Sequence, residues 1–407
     1  MRVGVIGGGL QGVGIALELA LRGVSVDVFE KRDACLGQAS LQNEGKIHLG
    51  FVYAKDRTLA TARLMAEGAL RFEPTIKRWL ETGIGDRFLS SPFQYFVHKD
   101  SLLDSEELGA YYEMVSGLIR ETAAQPETSY FGREGGAPVR KLPRASRDSI
   151  SNSPIISAIY QTPELAIDPR PVAELLRARI AEDKRIQVHP NAKVSRVTRG
   201  SDEVTVTVEE LASVRTERYD HVVNASWEDL LAIDASAGIA PGGEWSFRVK
   251  HFLRIPAQHA AVNVPSATVV LGGFGDVVRY AIGDLFLSWY PVGRRGFSTE
   301  IKPPDWPMPL DEPGASEVRA GIPEGLRQIF PCLRELPPEA VASSEVYGGI
   351  IYALGATDVG DPSSQLHQRH QAGVRSFGRY HRVDTGKYTL APLFAKRTAE
   401  RITGVSS

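Results

Sequence analysis

Three features predict an α/β chain in which a Rossmann-type nucleotide-binding domain is joined to a second, β-rich α+β domain. A short apolar run, Arg2–Ile6, passes without a break into Gly7-Gly8-Gly9-Leu10-Gln11-Gly12. A helix-favouring, Ala- and Leu-rich stretch follows to Arg22, and a second apolar run, Val24–Glu30, closes on an acid. The middle of the chain carries several β-like runs between Trp245 and Ile301.

The first 30 residues therefore read as strand, glycine turn, helix, strand, which is one βαβ unit. Gly23 stops the helix, as glycine does at a C′ position. In the fingerprint Gly7-x-Gly9-x-x-Gly12, the first glycine permits the tight turn and the second lets backbone approach a pyrophosphate. The third allows close helix–strand packing. The unpaired N–H groups at the following helix start, including those around Leu10 and Gln11, suit phosphate oxygens. Glu30, with Lys31 beside it, stands where a carboxylate accepts hydrogen bonds from ribose hydroxyls and repels a 2′-phosphate.

Further along, residues 57–82 carry helical periodicity and Phe93–His98 alternates as a strand. A helix lies within 101–119, and the polar stretch 123–153 reads as a surface excursion. Helix is expected at Pro171–Ile180, strands at Lys193–Val208, and a buried strand where Arg218–Ala225 ends. Within the β-rich part the runs are Phe247–Ile255, Thr268–Leu271, Leu285–Tyr290 and Gly296–Ile301. Pro303 to Pro313 reads as irregular, and Leu390 to Ile402 as the last helix. The expected division gives 1–90, 155–240 and 340–407 to the nucleotide-binding domain. It gives 91–154 and 241–339 to the second.

With 407 residues, 43% of them hydrophobic, the chain exceeds the size of one core and favours two interleaved domains. A net charge of −2 offers no field for nucleic acid or anionic membrane, so a small-molecule substrate is expected. Cys35 and Cys332 form neither a CxxC pair nor a disulfide framework and read as small buried hydrophobes. No apolar stretch approaches the ~20 residues of a membrane span, and the start does not read as a signal peptide. The chain is expected to be cytoplasmic, with its oligomeric state open.

The fingerprint alone does not choose between FAD and NAD. The segment Leu36-Gly37-Gln38-Ala39-Ser40-Leu41-Gln42-Asn43-Glu44-Gly45-Lys46-Ile47-His48-Leu49-Gly50, taken with Glu30, resembles the D-amino-acid-oxidase-like FAD-dependent oxidoreductases. The branch it resembles most contains 2-hydroxyglutarate and glycerol-3-phosphate oxidoreductases. Gly386-Lys387-Tyr388-Thr389 before the last helix and Val222-Val223-Asn224-Ala225-Ser226-Trp227 are similar to further segments of that superfamily. The resemblance implies FAD as cofactor. It places Gln42, Asn43, Gly45, Lys46 and His48 beside the ribityl chain and flavin, and Val194 against the adenine. Ala225 and Ser226 pass beneath the FAD, and the Gly386–Thr389 turn brings backbone N–H groups to the isoalloxazine carbonyl edge. The reaction implied is oxidation of a small polar hydroxy- or amino-compound. The alternatives are an NAD-dependent dehydrogenase and a non-catalytic FAD-binding protein.

His48 is the candidate catalytic residue, since an imidazole near the flavin can accept a proton. A covalent link to the flavin and a loop-capping role are its other readings. An anionic substrate calls for arginine. Alternation along one strand puts Arg248, Lys250, Phe252 and Arg254 on one face and His251 and Leu253 on the other. Arg254, Tyr290 and Tyr53 are the substrate-binding candidates; the basic strand face fits a solvated surface equally well, and Tyr53 fits the core equally well. His367 and His370 have a spacing that suits a metal on a helix, but lack a third ligand, so no metal site is expected. Asp384 reads as shaping the turn at Thr385-Gly386.

Overall fold

The computed structural model describes residues 1–405. Val3, Val5, Val26 and Val28 are buried on both sides of a parallel sheet, which is why the first two strands are continuous apolar runs. That sheet has six strands in the order Gly373–Phe377, Tyr380–Asp384, His221–Asn224, Arg2–Ile6, Ser25–Phe29 and Ile186–His189. All neighbours are parallel except the first two, which form a hairpin. The helix Leu10–Leu21 follows the first strand, and the last helix, Ala391–Thr403, packs on it. Gln11 Nε2 donates to the Ala391 carbonyl across that contact.

Helix Ala60–Leu80 buries Trp79 against Gly14 and sends the indole N–H to the fully buried Glu18, which also binds Arg22 and Arg78. A three-stranded antiparallel layer, Lys193–Arg199, Val204–Glu210 and Ser213–Tyr219, packs with Ile6, Phe29 and Val222.

The second sheet has nine strands in all. Its path runs Arg294–Ser298, Trp245–Ile255, Leu285–Trp289, Gly275–Arg279, Ala267–Val270, Gln94–His98, Ile156–Gln161 and Arg140–Lys141, while Glu345–Leu354 pairs along the whole of Trp245–Ile255. Ile156–Gln161 and Glu345–Leu354 thus join this sheet, although the sequence division assigns 155–240 and 340–407 to the nucleotide-binding half. Their partners are remote in the chain, and nothing local marks which sheet an apolar strand will enter.

The stretch 123–153 is mostly exposed, with only the two-residue strand Arg140–Lys141 and the short helix Arg144–Ile150. The irregular proline segment ends sooner than expected. Pro313 sits in the first turn of helix Glu312–Arg327, where its missing N–H costs nothing, and Asp311 caps that turn through Gly314 N–H. No helix among the described residues is long and apolar enough to cross a membrane.

Candidate active site

A cavity of about 420 Å³ opens between the two large sheets, within the range of small-molecule sites. At one end lies the glycine turn. Gly7 has φ +97°, and a Cβ on Gly12 would stand 1.9 Å from the Gly7 carbonyl oxygen. Only glycine lets the helix start so close to the strand it follows. Gly9 caps that helix without a side-chain hydrogen bond, and the Leu10 N–H donates to Ser40 Oγ at 2.7 Å. Gly7, Gly9, Leu10 and Gln11 line the cavity, whereas Gly12 acts by packing beneath it.

Glu30 also lines the cavity, and its two oxygens accept N–H groups from Gly8 and Arg32 at 2.8 and 2.9 Å. Burial pushes its carboxyl up, while these two N–H donors and the neighbouring Lys31 pull it back. Lys31 bridges to Glu228 and Asp229, tying the second strand to the loop that contains Ala225 and Ser226. Cys35 sits under this turn as a buried free thiol, pushed up to about 12 by burial and by Glu30. Cys332 is half-buried and also free.

The loop after the second strand forms one wall. Gln42, Asn43 and Lys46 line it, and Asn43 Oδ1 accepts the Gly45 N–H at 2.6 Å. Gly45 itself does not line the cavity. At φ +65° a Cβ there would strike the Ile167 carbonyl at 1.8 Å, so the glycine serves the turn. Opposite, Gly386, Lys387 and Tyr388 line the wall ahead of the last helix, and Asp384 holds the turn by accepting the Gly386 N–H. Thr389 is buried behind them. Its hydroxyl accepts the His48 N–H and donates to the Lys46 carbonyl, locking the two walls together.

Two expected contacts are corrected. Val194 packs its side chain among Val197, Val206 and Ile233 and does not reach the cavity. Arg254 does not reach it either. Its guanidinium forks onto Asp168 at 2.9 and 2.6 Å and its Nε donates to Asp284 at 2.8 Å. A bidentate buried ion pair already occupies the fork that a substrate would need.

The strand's other members do face the cavity: Arg248, Lys250 and Phe252 line it, with Thr268 and Asp276 from other strands of the sheet and Tyr290 from the short helix Tyr290–Gly293. Lys46 reaches across to Asp276 and Thr268. Lys250 donates to Ser288, and the Tyr290 hydroxyl donates to Asp358 while receiving a long 3.4 Å contact from Arg248. His48, Tyr53 and Arg369 complete this end. The sequence reading passes over Arg369, which follows the polar segment at 361–368 where no periodicity marks an inward face.

These residues share an unusual condition. Arg248 Nε, Arg369 Nε, the Tyr53 hydroxyl and His48 Nδ1 are buried with no hydrogen-bond partner among the described residues. Buried polar atoms are nearly always paired. Burial lowers the Arg369 guanidinium to about 10 and the Lys387 ammonium to about 8, helped in both cases by the other cations of the cavity. Burial also holds the His48 imidazole well below its ordinary range, with Lys387, Lys46 and Arg369 acting the same way. It pushes the Tyr53 phenol upward. The site is a cationic pocket with open donors. His367 lines its rim and touches the Asp361 carbonyl, while His370 lies against Asp56, and no group of three metal-ligating side chains exists among the described residues.

A family model described as FAD dependent oxidoreductase (DAO) matches residues 2–400, and the chain belongs to that family. FAD is its cofactor, which resolves the choice that the fingerprint leaves open. Glycine oxidase from Geobacillus kaustophilus superposes with a TM-score of 0.67 at 15% identity, over 100% of this chain and 96% of that one. The FAD-bound L-alpha-glycerophosphate oxidase from Mycoplasma pneumoniae gives 0.66 at 14% identity, over 99% and 94%. L-proline dehydrogenase from P. horikoshii gives 0.64 at 19%, over 100% and 94%. A curated relative, FAD-dependent monooxygenase FPY4 from Fusarium mangiferae, is 40% identical over 70 residues, 17% of this chain and 18% of that protein. The solved structures share the fold at these identities. The residues present fit FAD: a glycine cradle that a Cβ would fill, a helix start whose N-cap is a glycine lining the cavity, and Glu30 at the end of the second strand.

Proposed function

We propose that this enzyme oxidises a small amino- or hydroxy-compound bearing a carboxylate or similar anion, bound between the two sheets. The observation that carries this reading is the pair of buried guanidiniums, Arg248 and Arg369, whose Nε atoms have no partner. A planar anion would satisfy them with charge-assisted hydrogen bonds and relieve their mutual repulsion.

Bound FAD supplies the acceptor for the hydride that leaves the substrate carbon. The glycine turn from Gly7 to Gly12 would hold its pyrophosphate and Glu30 its ribose, with Gln42, Asn43 and Lys46 along the chain between. Lys387, at the turn before the last helix, would place a cation near the ring system and favour charge accumulating there. The Tyr53 and Tyr290 hydroxyls orient the substrate. His48 accepts the proton of the substrate hydroxyl or amine: its depressed basicity keeps the imidazole neutral and ready at physiological pH. Phe252 and the buried walls exclude water.

The purified protein should be yellow. Mixed anaerobically with a panel of 2-hydroxy acids, amino acids and their N-alkyl derivatives, at least one should bleach it. Replacing Arg369 or Arg248 with Met should raise KM for that compound roughly ten- to hundredfold, the loss of one charge-assisted pair worth about 1.5–3 kcal/mol. Flavin content should be unchanged. A flavin that stays oxidised with every anion but bleaches with neutral amines would overturn the anionic part of the reading.

A further inference from the structure

Glu164 stands across from His48. The two-residue ladder that joins Lys46–Ile47 to Leu165–Ala166 pairs Lys46 with Ala166 and Ile47 with Leu165, so the next step along it brings residue 48 against residue 164. Glu164 is fully buried and lies outside the cavity wall. One carboxylate oxygen, Oε2, accepts the Leu49 N–H at 2.7 Å, and Oε1 accepts the Tyr95 hydroxyl. Oε1 also lies 3.7 Å from His48 Nδ1, the nitrogen left without a partner among the described residues.

A carboxylate with no outlet to solvent is expensive to bury, and two neutral donors compensate it only in part. The groups facing His48 account for its presence. Lys46 on the same strand, Lys387 before the last helix and Arg369 are cations, and Tyr53 presents a ring edge at 5.8 Å. Glu164 is the acid in contact. An imidazole ringed by cations resists protonation, and a base that cannot tolerate its own positive charge transfers no proton. The His48 backbone is held by Thr389, and the acid within reach of the ring is Glu164.

We propose that Glu164 is the positioning residue of the proton acceptor: it takes the Nδ1–H of His48, turns Nε2 toward the substrate, and pairs the imidazolium when the substrate proton arrives. This rests on the reading of His48 as the base. The O–H or N–H bond of the substrate breaks, its electron pair stays on the oxygen or nitrogen, and an N–H bond forms at Nε2. The histidine exchanges no electrons. The 3.7 Å separation fits a contact that tightens in the holoenzyme, and the arrangement follows the acid–histidine logic by which a buried carboxylate fixes a tautomer.

The test is nitrogen NMR of the holoenzyme with ¹⁵N-labelled histidine, the His48 signals being identified by their loss in His48→Gln. The wild type should carry its proton on Nδ1. Glu164→Gln should move that proton resonance upfield, while Tyr95→Phe, which strips one donor from the carboxylate and makes it a stronger acceptor, should move it downfield. A merely structural role would not produce opposite shifts. If Glu164→Gln does not fold, Tyr95→Phe carries the test alone. An Nε2–H tautomer in the wild type, or an unmoved resonance in whichever variants fold, overturns the proposal. The base reading fails separately, if His48→Gln is still bleached by substrate at the wild-type rate.

Discussion

In the six-stranded sheet the first two strands and the helix between them lie within 30 residues, and Gly7 and Gly12 set their spacing by close backbone approach. In the nine-stranded sheet, Trp245–Ile255 is flanked by Glu345–Leu354, some hundred residues further on, and by Leu285–Trp289 and Arg294–Ser298. The first region offers main-chain groups whose position follows from local conformation. The second offers side chains, and which of these face the cavity is settled by pairing with distant strands. Arg248 and Arg254 make the point: both sit on the same strand, one with an open Nε in the pocket and one committed to Asp168 and Asp284.

Substitutions can break this comparison. The largest effect is expected at Gly12→Val, which places atoms inside the Gly7 carbonyl and should yield protein without bound flavin, checked by its absorption spectrum and by added FAD failing to restore colour. Arg254→Met should follow, leaving two carboxylates stranded and lowering stability by about 3–5 kcal/mol in denaturant titration. Arg248→Met should raise KM with little change in melting temperature, so the two arginines separate stability from recognition.

A smaller effect concerns acid. His381 in the six-stranded sheet and His251 in the nine-stranded sheet are each lowered to about 4 by burial, and His381 also touches His221 at 3.0 Å. The unfolded imidazole protonates near its ordinary value of 6.5. Between pH 6.5 and 4 the unfolded chain binds more protons, so stability falls as pH drops through that window. His381→Asn should flatten this slope by about 2 kcal/mol over the window, seen in urea melts at several pH values. The least effect is expected from Leu211→Ser at the exposed tip of the small sheet: within about 0.5 kcal/mol by the same measurement.

Legibility in the sequence followed the same divide. The Gly7–Gly12 turn and Glu30 could be read because they depend on conformations that glycine favours and on an acid at a strand end, whereas the Gly386–Lys387 turn was legible only through the family resemblance. Side-chain alternation placed Arg248, Lys250 and Phe252 on one face, but it put Arg254 there as well. Alternation cannot tell that Asp168, the cap of helix Pro169–Glu182, reaches in to claim that guanidinium. Arg369 and Glu164 left no periodic trace at all. One follows an irregular segment, and the other lies one step beyond a two-residue strand, so tertiary packing alone gives them their surroundings.

The contact of Gln11 with Ala391 spans 380 positions of the chain. The glycine turn is therefore made long before the helix that backs it. Loss of the final helix should leave the glycine turn intact in sequence yet without its support.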